Sequence, residues 1–110
     1  MEIPAPHVPA ASARVAMALQ AAERASDLLR RRHVLQGRFY LSQVASDLAK
    51  GADYLKAAGA QYAGKSEFLA KLSTWYQDEA RKVHGPGNAP AIADEVFAQQ
   101  GLLFVADPAR

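Results

Sequence analysis

Residues 39–58, FYLSQVASDLAKGADYLKAA, decide the fold class. Leu41, Val44, Ala45, Leu48, Ala52 and Leu55 recur at i, i+3, i+4, i+7, i+11 and i+14, the spacing of one face of an α-helix. Ser42, Ser46, Asp47, Lys50 and Asp53 fall mostly off that stripe. Gly51 interrupts it at about 1 kcal/mol relative to alanine, and so marks either a kink or a point of close helix approach.

The pattern repeats on both sides. Upstream, Ser12 reads as an N-cap for a helix over roughly 13–35, with Val15, Leu19, Ala22, Ser26 and Leu29 in a 4,3,4,3 seam and Gly37 as its stop. Downstream, residues 59–65 read as a connector. Ser66 caps a third helix over roughly 67–84 whose stripe is Phe68, Leu69, Leu72, Tyr76, Ala80 and Val83. Gly85-Pro86-Gly87 stops it. A short fourth helix follows over about 90–100, with Pro90 in its first turn and Gly101 at its end. The continuous apolar run Leu102 to Val105 reads as an extended segment.

Composition agrees. Half of the 110 residues are apolar, but 24 of those are alanine, against seven valines, two isoleucines and one threonine. That usage excludes an all-β fold. The expectation is therefore an all-α antiparallel bundle of three longer helices, a short fourth helix and an extended apolar C-terminal segment. It forms one domain over 11–110, preceded by a flexible proline-rich arm over 1–10 in which Pro4, Pro6 and Pro9 fix φ.

Several function classes drop out. Cysteine is absent, which removes disulfides, thiolate nucleophiles and thiolate-bound zinc. No apolar run reaches the ~20 residues of a membrane span. The opening MEIPAPHVPA lacks a basic stretch and is not read as a secretory signal, so the cytoplasm is the expected location. His7, His33 and His84 lie in separate segments without metal spacing. The acidic pairs Asp78/Glu79 and Asp94/Glu95 are sequence neighbours that do not share a helix face. No nucleophile elbow surrounds any serine. The expectation is a non-catalytic protein without cofactor or metal.

What remains points to binding. Arg30, Arg31, Arg32 and Arg38 belong to a stretch, 14–38, with six arginines against Glu23 and Asp27. Arginine forks suit carboxylate and phosphate. Tyr54 and Trp75, if exposed, mark an interface, as these residue types often do. Leu102, Leu103 and Phe104 supply an apolar contact. The first reading is a regulatory, inhibitory or accessory protein whose apolar helix face meets an acidic protein partner, steered by the arginines. A homodimer is expected from the alanine-rich seam of the first helix, because alanine contributes little burial of its own. The alternative is a regulator touching nucleic acid through Arg30–Arg38.

A third reading rests on Gly59-Ala-Gln-Tyr-Ala-Gly64-Lys65-Ser66, which fits G-x-x-x-x-G-K-[ST]. The segment resembles the phosphate loop of the P-loop NTPases, and Leu102 to Asp107 resembles the strand that carries their metal-binding aspartate. The resemblance implies backbone amides around phosphates, Lys65 on the β/γ oxygens and Ser66 on Mg²⁺. That loop has to follow a buried strand. Here Asp53 to Ala58 continues a helical stripe, so Gly59 reads as a helix end and Ser66 as a cap.

Overall fold

A computed structural model describes residues 7–109. Four helices follow one another: α1 (His7–Arg30), α2 (Val34–Ala58), α3 (Ala63–Lys82) and α4 (Ala89–Ala106), with a single 3-10 turn at Ala60–Tyr62 before α3. No strand occurs among the described residues. The chain is an all-α bundle.

Successive helices run antiparallel. Ser73 Oγ donates to the Ala45 carbonyl (2.6 Å) and Ser66 Oγ to that of Ala52 (2.8 Å), so α3 climbs as α2 descends. Ser26 Oγ donates to the Ala93 carbonyl (3.2 Å) and Ser12 Oγ to Asp107 Oδ1 (2.9 Å), which sets α4 against α1. Helix α1 lies between α2 and α4, helix α2 between α1 and α3, and α3 touches α4 only lightly. Eleven of the 24 buried apolar residues are alanines. On α1 they are Ala11, Ala18, Ala21, Ala22 and Ala25, beside Val15 and Leu29. Small side chains let α2 and α4 come close to α1, while Leu41, Leu48, Leu55, Leu69, Tyr76 and Leu103 supply the volume.

Several boundaries differ from the sequence expectation, each for a local reason. Residues 7–10 are not an arm but the first turn of α1, where Pro9 is tolerated because its missing N–H would have no intrahelical acceptor. The rest of the expected arm, 1–6, lies outside the described residues. Ser12 therefore sits inside α1 and tethers Asp107 instead of capping. Helix α1 ends at Arg30, not near Gly37. The His33 N–H donates to the Leu28 carbonyl (2.9 Å) and that of Arg32 to Leu29 (3.0 Å), a Schellman closure. Its left-handed residue is Arg32, at φ 65°. Gly37 belongs to α2 and faces Leu29, where a Cβ would lie 2.6 Å from Cγ. Gly51 marks close helix approach, with Leu69, Ala11 and Arg14 around it.

Ser66 lies in the first turns of α3 rather than capping it. Helix α4 continues through Gly101 to Ala106, so Leu102–Val105 is helical and not extended. Its six buried residues, from Ala89 to Ala106, keep one face on α1, and that packing outweighs the cost of a single glycine. The alanine seam of α1 is enclosed by its own α2 and α4, so it offers nothing to a second chain.

Candidate interaction surface

The residues singled out from sequence fall in three places. Arg30, Arg31, Arg32 and Arg38 gather where α1 turns into α2. Tyr54 lies near the far end of α2, with His7 beside it at 6.2 Å between ring centroids. Trp75 sits on α3, edge-on to Tyr76 at 4.9 Å. Both Tyr54 and Trp75 are half-buried against the core and do not form an open aromatic surface. On α4, Leu103 is fully buried, while Leu102 and Phe104 point outward. They lie toward the Ser12 end of α1, away from the arginines.

The arginines are not equivalent. Arg30 Nη2 is 3.4 Å from Asp94 Oδ1, and its guanidinium lies 5.1 Å from the centre of the Phe97 ring. Arg31 pairs with Asp27 one turn back at 3.4 Å. Arg32 and Arg38 form no ion pair among the described residues. Arg32 projects from the left-handed link, and Arg38 faces the α2–α3 groove beside Ser42, Gln77 and Arg81.

Beside them lies a cleft of about 520 Å³, between the last turns of α1 and the first turns of α2. Arg24, Asp27 and Leu28 line one wall, and Leu35, Gln36, Phe39 and Tyr40 the other. Leu35 is 79% and Phe39 60% exposed. Arg24 is held in place by Tyr40, with Nη1 donating to the hydroxyl at 3.2 Å and the guanidinium over the ring. The result is an apolar ridge, Leu35–Phe39, with Arg24 on one flank and Arg38 on the other.

Sequence reasoning missed this ridge because it ended the first helix near residue 35. In the true register of α2, Leu35 and Phe39 are one turn apart and point away from the Leu41–Leu55 stripe, and that opposition is visible in the sequence. It also missed two buried acids. Asp47, assigned off the stripe, is buried and receives Arg14 Nη1 at 3.3 Å across α1–α2. Glu79 is buried with Lys82 Nζ at 2.6 Å. Burial and then the neighbouring Glu95 push the Glu79 carboxyl above its ordinary pKa, against the pull of Lys82.

The phosphate-loop residues are otherwise engaged. Gly59 ends α2 at φ 135°, and Gly64, Lys65 and Ser66 lie in α3. Lys65 Nζ donates to the Asp107 carbonyl (2.8 Å) and Ser66 Oγ to Ala52. The strand-loop-helix context is missing, since helix precedes the motif. No group of three metal-ligating side chains occurs among the described residues, and none of their helices is long and apolar enough to cross a membrane. No family model, curated protein or solved structure matches the chain.

Proposed function

We propose that this protein is a non-catalytic regulatory or accessory module that captures an acidic, amphipathic helix of a partner protein at the α1–α2 end of the bundle. One observation carries the reading: the exposed Leu35–Phe39 ridge borders a cleft lined by Arg24, and Arg24, Arg32 and Arg38 at this end of the bundle form no ion pair among the described residues. An apolar anchor of the partner fills the cleft, and its flanking carboxylates meet Arg32 and Arg38. Such charges steer encounter and fix register more than they add affinity. The setting of this reading is the cytoplasm.

Arg32 supports it further. A left-handed arginine costs roughly 1–2 kcal/mol where glycine would cost little. Strain of this kind concentrates at binding sites. The protein keeps a cation at a position where its own stability favours glycine. A phosphate-binding surface, by contrast, has no use for a protruding leucine and phenylalanine between its cations.

The test is selection of displayed random peptides on immobilised protein. Wild type should enrich amphipathic sequences with acidic flanks, Phe39→Glu should lose them, and Arg32→Gly should weaken them while melting at a higher temperature. Enrichment without acidic bias, or enrichment retained on Phe39→Glu, overturns the reading. Tight, salt-sensitive binding of duplex DNA that Arg30→Ala, Arg31→Ala and Arg32→Ala together abolish would transfer the function to nucleic acid.

A further inference from the structure

We propose that the groove between α1 and α2 holds the partner helix along three turns, at two apolar anchors eleven residues apart with a carboxylate between them for Arg24. The proposal rests on the reading of the Leu35–Phe39 ridge as a partner site and adds a second anchor point to it, around Met17.

Two clefts lie end to end in that groove. The first is the 520 Å³ cleft beside the ridge. The second, of about 210 Å³, is lined by Met17, Gln20 and Ala21 of α1 and by Gln43 and Asp47 of α2. Arg24 and Tyr40 line both, and their hydrogen bond spans the groove where the clefts meet. Met17 is 45% exposed at the far end, as Leu35 and Phe39 are exposed at the near end.

Helix geometry aligns these residues. Met17, Arg24 and Leu28 stand at i, i+7 and i+11 on α1, and Gln36, Gln43 and Asp47 at the same spacing on α2, so each set keeps to one face. Eleven residues of helix cover about 16 Å. A third helix laid in the groove runs beside both walls and presents a stripe of the same period. Its anchors at i and i+11 reach the two clefts, the larger anchor in the larger cleft. Arg24 is seven residues from Met17 and four from Leu28. The carboxylate that meets it is therefore four residues from the ridge anchor and seven from the other.

Charge selects the residue between the anchors. Two acids line the clefts, and both are paired within the protomer, Asp27 with Arg31 at 3.4 Å and Asp47 with Arg14 at 3.3 Å. Arg24 forms no ion pair among the described residues, and its hydrogen bond goes to a neutral phenol. A guanidinium held in this way offers a carboxylate a fixed donor fork.

A second copy of this chain does not supply the stripe. Among the described residues, no two exposed large apolar side chains stand eleven apart on one helix. The most widely spaced pair, Phe97 and Val105 on α4, is eight apart with no acid between. The occupant is a helix of another protein.

Random 18-residue peptides, displayed and selected on the whole chain, supply the probes. Those enriched on wild type should carry two apolar residues eleven apart, with Asp or Glu four residues from the larger one. For the synthetic peptides, fluorescence anisotropy should show Met17→Glu weakening binding at least tenfold. Selection on Arg24→Gln should lose the central acid. Both positions are exposed, and circular dichroism verifies that the variants are folded. Binding lost on Phe39→Glu but unchanged on Met17→Glu overturns the second anchor and leaves the ridge reading in place. Apolar pairs about five residues apart mark an extended segment across the same distance and overturn the helix. Failure to enrich any peptide that depends on Phe39 overturns the ridge reading and this proposal with it. Self-association in sedimentation velocity that Met17→Glu and Phe39→Glu each disperse gives the groove to a second copy and overturns the proposal as well.

Discussion

Three helical glycines meet different surroundings, so one substitution should have three outcomes. Replacing glycine by alanine inside a helix stabilises by about 1 kcal/mol through propensity alone. At Gly37 the new methyl would stand 2.6 Å from Leu29 Cγ and closer still to Cδ2. Leu29 is fully buried at the end of α1, so it has to leave its rotamer or push α1 and α2 apart. Overpacking of this kind costs about 1–3 kcal/mol. After the propensity gain, Gly37→Ala should lose up to about 2 kcal/mol, or up to roughly 9 °C in Tm for a domain of this size. At Gly51 the nearest atom is the Leu69 Cδ1 methyl at 3.3 Å, with the Ala11 carbonyl oxygen and Arg14 Cβ at 3.7 Å. A methyl end can yield by a few tenths of an ångström, so Gly51→Ala should stay within about 0.5 kcal/mol of wild type. Gly64 has nothing within 4 Å and should gain. Its place in the first turn of α3 limits that gain to roughly half of the interior value.

Denaturant unfolding followed by far-UV circular dichroism, at one low protein concentration, gives the ranking. The order of stability should be Gly64→Ala above Gly51→Ala above Gly37→Ala, with equal m-values. A Gly37→Ala variant at least as stable as wild type would refute the close α1–α2 approach, and with it the register that turns Leu35 and Phe39 outward.

Two further predictions concern the buried acids. The Glu79 carboxyl, raised by burial and by Glu95, holds its proton more tightly in the folded chain than in the unfolded one. Its contribution to stability is therefore complete below the ordinary glutamate range and is lost as pH rises through the folded value. Glu79→Gln should gain on wild type in Tm as pH rises from about 4 toward neutrality, and a gap independent of pH would exclude this burial. Asp47→Ala leaves Arg14 without its partner across α1–α2. Because Arg14 is half-exposed and can turn to water, the cost should be about 1–2 kcal/mol rather than the ~3–5 kcal/mol of a fully buried pair, and chemical denaturation that finds no loss would show the pair to be incidental.

The fold was legible because apolar spacing reports helix faces directly. Leu41 to Leu55 and Phe68 to Val83 lie on the predicted stripes, and Ser26, placed in the seam of the first helix, is buried there against α4. Helix ends were less legible, for a physical reason. A left-handed closure at Arg32 has no sequence signal, because glycine is the expected residue and Gly37 stood five positions later as a decoy. Gly101 misled in the same way: core contacts of Leu103 and Ala106 carry α4 past a residue that usually ends helices. The candidate site was half visible. The arginines were apparent, but their neighbours depended on the register of α2. Tyr54 and Trp75 drew notice for their residue type, and burial decides their role.

Read as one basic patch, residues 30–38 combine side chains that the fold separates. Arg30 leans onto α4, where its guanidinium covers Phe97 and meets Asp94. Arg31 is occupied by Asp27 on its own helix. The charge available to an acidic partner is thus carried by Arg24 in the cleft wall, by Arg32 on a strained link and by Arg38 beside the cationic end of α3. The α1–α2 surface also breaks a local rule at the protomer's expense, through its left-handed arginine. Departures of this sort are expected where a sequence answers to something besides its own fold.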